Sequence, residues 1–196
     1  LVLGKDKGGS QKGSVKISEG LKSLFSSRNA MLYPLIGFFI VGATLSASAL
    51  LPKLMSDFGM SEVKGGNVIS VMLFGAALGA FLFPHVAGKY GVKKTSLAVA
   101  ILSAVLWLVF HFETSFFIYL SIAFLFGMFL EASWPVAFHS QETEKGVNAK
   151  NVGIAASLYI SVSNVGGAIL PVIIGKMADS SHQNAFIILF LYLVAF

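Results

Sequence analysis

Glu131 is the residue of this chain best placed to do chemistry. It is the only acidic or basic side chain inside a long apolar segment. It stands 16 residues after Ser115 and 8 before His139. On a helix that is about 24 Å from one end and about 12 Å from the other. A carboxylate at such depth costs on the order of a few kcal/mol unless it faces a polar cavity, pairs, or takes up a proton. Two readings follow. Glu131 is a proton-coupling or solute-binding carboxylate, or it is a protonated glutamate bonded to a neighbouring carbonyl or hydroxyl. Trp134 and Pro135 lie one turn on, on the same face. Pro135 removes a helical hydrogen bond, so it marks either a flexing gate or a fixed kink beside an interfacial tryptophan.

A repeated phrase gives Glu131 a counterpart. Residues 79–89 read GAFLFPHVAGK and residues 166–176 read GGAILPVIIGK. Both carry Gly-x4-Pro-x3-Gly-Lys, and Gly79 and Gly166 are 87 positions apart. The same offset pairs Glu131 with Thr44. Thr44 and Ser48 share a helical face and can bond a solute or their own i−4 carbonyls. Ser157, Ser161, Asn164 and Ala168 form a small, polar stripe, either for close helix packing or for a cavity wall. Gly75 and Gly79 form a GxxxG packing pair. Gly166, Gly167, Pro171 and Gly175 fall in the second copy of the phrase and are assigned to packing or gating.

The remaining chemistry is sparse. His85, His111, His139 and His182 each fall at a segment end or in a loop, and no two have metal-ligand spacing. His139 is near enough to Glu131 to be weighed as a proton relay. There is no cysteine, so disulfides and thiolate metal sites are excluded. With no nucleophile elbow, phosphate loop or paired carboxylates, no enzyme, metal or cofactor is expected.

The elements that must position these residues belong in a bilayer. The chain is 56% hydrophobic and 12% charged, against about 45–50% and about 25% for soluble domains. No charge occurs in residues 31–51, 67–83 or 95–109. Crossing about 30 Å of hydrocarbon takes roughly 20 apolar residues. Membrane helices are expected over 31–51, 67–87, 95–110, 115–138 and 152–174, with a sixth from 185 onward. Pro52 with Lys53, Gly88 and Gly175 are expected to end the first, second and fifth. Residues 1–30 read as a basic Gly/Ser-rich linker with an amphipathic turn near 21–25, and 31–196 as the membrane domain. The sixth segment, 12 residues to Phe196, is too short to span, and the chain starts at Leu1. A fragment of a longer protein is expected.

Charge sets the orientation. With residues 1–29 cytoplasmic, eleven of the 14 basic residues face inward, leaving only Lys53, Lys64 and Lys176 outside. This bias also accounts for the net charge of +5. The basic residues lie on separate loops with no aromatic platform beside them, so nucleic acid is not an expected partner. Lys89 then ends inside and Lys176 outside. Two three-helix units of opposite direction form an inverted repeat, an arrangement that builds alternating access around a mid-membrane site.

Three stretches resemble the carboxy-terminal half of a major facilitator superfamily transporter. PHVAGKYGVKK at 84–94 resembles the family's Gly-x-x-x-Asp-Arg-x-Gly-Arg-Arg loop, with Gly88, Lys89, Gly91, Lys93 and Lys94 at its positions. Gly88 replaces the usual aspartate, Pro84 a glycine and Val92 a basic residue. NVGGAILPVIIG at 164–175 is similar to the small-residue stretch of the eleventh helix, and the basic linker resembles the loop joining the halves. The resemblance implies helices seven to twelve of twelve, a missing amino-terminal six-helix half, lipid around the bundle, and a small solute moved by alternating access under a proton or solute gradient. Glu131, Thr44, Ser48, Trp134, Ser161 and Asn164 would serve the solute or proton. The alternatives are a non-transporting membrane sensor or assembly module, and a six-helix protein that dimerises.

The orientation is checked with impermeant thiol reagents on intact cells. A Lys93→Cys protein should resist labelling and a Ser61→Cys protein should react; the reverse pattern refutes it.

Overall fold

Helix formation here is enforced by the solvent. Hydrocarbon offers backbone N–H and C=O groups no partner, so each apolar run must satisfy its own. The computed structural model describes residues 17–112, 115–180 and 187–189. Its helices are α1 (Ile17–Phe25), α2 (Arg28–Asp57), α3 (Glu62–Tyr90), α4 (Val92–Val109), α5 (Phe116–Glu142) and α6 (Val152–Ser180). No strand occurs among the described residues. Helices α2 to α6 are each long and apolar enough to cross a membrane. Phe74, Phe81, Leu97, Ile101, Phe117 and Val172 are exposed on their outer faces. A water-soluble fold would bury such side chains; a lipid-facing one displays them. The protein is an all-α, multi-pass membrane protein.

The helices outrun the expected stops. α2 continues through Pro52 and Lys53 to Asp57, α3 passes Gly88 to Tyr90, and α6 passes Gly175 to Ser180. Leaving the helix at those points would strand carbonyls at the membrane boundary, whereas one more turn satisfies them. All five prolines, Pro34, Pro52, Pro84, Pro135 and Pro171, sit inside helices. Neighbouring helices make that tolerable in a bundle. The expected linker is also partly ordered. α1 replaces the short turn near 21–25: Leu24 is buried with Ala30 and Ala155, and Asn151 Nδ2 donates to Ser23 Oγ at 3.0 Å. Of the expected sixth helix, 187–189 are helical and the rest lies outside the described residues.

Between α3 and α4 the chain turns on one residue. Gly91 has φ +92°, a conformation that L side chains rarely adopt. Its N–H donates to the Ala87 carbonyl at 2.9 Å, and its own carbonyl accepts from Thr95 N at 3.1 Å.

Packing depends on close backbone approach. A Cβ on Gly75 or Gly79 would collide with the carbonyls of Phe124 and Met128 in α5. Across the bundle, a Cβ on Gly166 would collide with the Phe38 carbonyl in α2, and one on Gly167 would press on Val41 and Leu45. Gly79 and Gly166 are the two ends of the 87-residue offset. That offset carries α2 onto α5 and α3 onto α6, so α3 against α5 and α6 against α2 are equivalent contacts. Gly175 differs: a Cβ there would meet nothing within 4 Å, so it is not a packing glycine. At one end Trp107, Phe110, Tyr119 and Phe126 form an aromatic core, with Phe110 and Tyr119 stacked at 6.2 Å.

Gly79→Val should therefore cost about 1–3 kcal/mol through overpacking, while Gly88→Ala, which faces open space, should cost little. Thermal unfolding of the two variants in detergent checks the contrast.

Candidate functional site

α2, α5 and α6 converge on a cleft of about 280 Å³. Its walls are Val41, Thr44 and Leu45 from α2, Glu131 and Trp134 from α5, and Ile160, Ser163 and Asn164 from α6. Glu131 lies 15 residues into α5, about 23 Å along it. Thr44 lies 16 residues into α2. The two side chains hydrogen-bond to each other, Thr44 Oγ1 to Glu131 Oε1. They are also the counterparts under the 87-residue offset. The Thr44–Glu131 contact thus joins equivalent positions of α2 and α5.

The contact carries a proton constraint. Thr44 Oγ1 also lies 3.0 Å from the Ile40 carbonyl. A hydroxyl has one hydrogen and cannot donate to both acceptors. With a proton on Glu131, the carboxyl donates to Thr44 and Thr44 donates to Ile40, so both contacts are hydrogen bonds. Without that proton, Thr44 must turn its hydrogen from Ile40 to the carboxylate.

Trp134 is fixed from two sides. Its ring stacks on Phe138 at 5.4 Å and meets Tyr159 edge-on at 5.4 Å. The Tyr159 hydroxyl donates to the Trp134 carbonyl at 3.1 Å. Pro135 sits inside continuous α5 and has no N–H for the carbonyl four residues back, which is that of Glu131.

The structure brings Glu131, Thr44, Trp134 and Asn164 to one cleft. Ser48 and Ser161 are not on its wall. Ser48 Oγ donates to the Thr44 carbonyl at 2.8 Å, and Ser161 is exposed on α6. His139 is exposed two turns from Glu131. Tyr159 and Ser163 were missed. Both are buried, and a Cβ on Gly37 would collide with Ser163 Oγ, which shows how closely α2 passes. The only signal in the sequence was Gly37 in an otherwise bulky stretch of α2.

A second opening, of about 440 Å³, lies between α2, α4 and α5. Its wall is mostly aliphatic, with Tyr33, Lys93, Ser96 and Ser133 as the polar members. It contains no carboxylate. No group of three His, Cys, Asp or Glu suited to a metal occurs among the described residues.

Residues 33–196 match the family profile of the Major Facilitator Superfamily. The chain belongs to the major facilitator superfamily. It is also similar to an uncharacterized protein of Archaeoglobus fulgidus, 25% identical over 179 residues, covering 91% of this chain and 81% of the relative. Superfamily membership and five apolar helices together give the chain a transporter-type role. In the superfamily's loop, Lys89, Lys93 and Lys94 are exposed, and the Lys89 ammonium sits 5.2 Å from the Tyr90 ring centre. A Cβ at Gly88 meets nothing within 4 Å. Its departure from aspartate therefore reflects no steric demand of this fold.

Tyr159→Phe removes the hydrogen bond to the Trp134 carbonyl, behind the wall of the cleft. It should lower stability by about 1 kcal/mol and leave helical content by circular dichroism unchanged.

Proposed function

We propose that this chain is half of a secondary transporter that moves a small solute by alternating access, with Glu131 as its proton-coupling carboxylate. The observation that carries the reading is the Thr44–Glu131 contact, at mid-helix depth, at the wall of an open cleft. Glu131 is bonded to a hydroxyl rather than to a cation, and it faces the cleft. No lysine or arginine falls in the middle of any described span, so no fixed cation neutralises this one. A proton or a solute must do so.

The proposed cycle uses the two arrangements of Thr44. Protonated Glu131 bonds to Thr44 and is neutral, so the α2–α5 contact can move through a dry environment. Loss of the proton leaves a carboxylate that demands water or a charged partner, which favours a conformation open to solution. Proton occupancy and access to the cleft are thereby linked. The cleft would be completed by a second six-helix half facing α2, α5 and α6, with residues 1–30 on the cytoplasmic side. Gly91 and the lysines beside it belong to the same inner face, where they would set the α3–α4 turn during the exchange.

The test is gradient-driven uptake by the full-length protein in proteoliposomes. Glu131→Gln keeps the shape and imitates the protonated acid. It should abolish proton-driven uptake by at least tenfold while sparing solute exchange. Uptake that keeps its dependence on an imposed pH gradient in this variant would sink the reading.

A further inference from the structure

The composition of the cleft narrows what it can hold. One wall carries the Glu131 carboxyl and, three residues on, the Trp134 indole, which places both on one face of α5. Phe138 covers one face of that indole and Tyr159 meets it edge-on, and no third ring stacks on it among the described residues. Val41, Leu45 and Ile160 make the aliphatic part of the lining. Asn164 and Ser163 supply neutral polar atoms, and no cationic side chain lines the cleft among the described residues. The site therefore offers a carboxylate and an aromatic ring to a ligand, with aliphatic side chains beside them. At 280 Å³ the cleft equals about nine liquid waters, at ~30 Å³ each.

Those features suit one chemical class. On the wall this chain supplies, an anion would face the Glu131 carboxylate with no basic group beside it among the described residues. A sugar would find only Asn164, Ser163 and Thr44 as neutral polar side chains on that wall. An ammonium can sit against the Glu131 carboxylate and over the Trp134 ring, gaining from both ionic and cation–π attraction. Its apolar body then fills the Val41–Leu45–Ile160 side. We propose that the cleft takes a small amphipathic organic monocation, and that this cation and a proton compete for Glu131. The proposal rests on the transporter reading of the same cleft. The titratable group facing Glu131 from α6 is the phenol of Tyr159; from α2 it is the non-titrating Thr44. On α3 and α4 the charged residues Glu62, Lys64, Lys89, Lys93 and Lys94 lie at helix ends, and His85 is exposed near the end of α3.

The experiment compares two isosteres on the purified full-length protein: (4-hydroxyphenyl)trimethylammonium and the uncharged 4-tert-butylphenol, by titration calorimetry. The cation should bind at least tenfold more tightly than its neutral twin. Its affinity should fall as the pH is lowered and Glu131 takes up its proton, while that of the phenol stays constant. Glu131→Gln should reduce the preference for the cation at least several-fold, leaving only the Trp134 share, and Glu131→Asp should restore part of it. Equal binding of the two compounds by the unsubstituted protein overturns the proposal without any variant. So does cation binding indifferent to pH or to Glu131→Gln. Failure here with intact Glu131-dependent proton-driven uptake would remove the ligand class alone. Cation binding without any proton-driven uptake would instead remove the transport reading.

Discussion

Close approach of helix backbones is the constraint on which the rest of this structure depends. Lipid tails are as apolar as leucine, so hydrocarbon gives two helices little reason to associate. What holds them is dense packing, and that requires glycine where a side chain would intrude. Gly75 and Gly79 let α3 lie on the carbonyls of α5, and Gly166 and Gly167 let α6 lie on α2. These two contacts fix α2 and α5 as the inner pair. Everything in the cleft follows from their separation, including how near Thr44 comes to Glu131.

Duplication gives that inner pair its chemical asymmetry. In an exact inverted repeat the residue on the axis would meet a copy of itself. A pair of glutamates there would repel, and a pair of threonines would hold no proton. The divergence to threonine on α2 and glutamate on α5 yields a donor–acceptor pair with two hydrogen-bond arrangements. One arrangement requires a proton on the acid, and the other is the one open to the bare carboxylate. Pro135 leaves the Glu131 carbonyl without its helical N–H, while Tyr159 braces the next residue's neighbourhood through the Trp134 carbonyl.

The α1 helix shows a different use of polar contacts. At the boundary, where water competes, Asn151 binds Ser23, the Gly146 carbonyl and the Asn148 N–H in one node. Gln141, buried nearby, donates to the Ala30 carbonyl at 3.4 Å and ties the end of α5 to the start of α2. This end of the bundle is therefore stitched by side-chain amides, and its middle by glycine and by one acid–hydroxyl pair.

The sequence by itself determined the five long apolar helices α2 to α6, their approximate places, the close-packed glycines Gly75, Gly79, Gly166 and Gly167, and the Thr44–Glu131 correspondence. Charge-free length and a fixed spacing are one-dimensional properties, and a bilayer acts on them directly. It misjudged the helix ends at Pro52, Gly88 and Gly175, because local stop signals are outweighed where unsatisfied carbonyls would meet lipid. Of the polar stripe on α6, Asn164 lies on the cleft wall and Ser157 and Ser161 do not, while Ser163, outside the stripe, does. Which side of a helix faces its neighbour is set by how the two backbones cross, and periodicity cannot state that when both sides are small and apolar. Only the tertiary structure decided that Trp134 would be braced by Phe138 and Tyr159 beside the acid, because those three rings meet through the approach of α6 to α5.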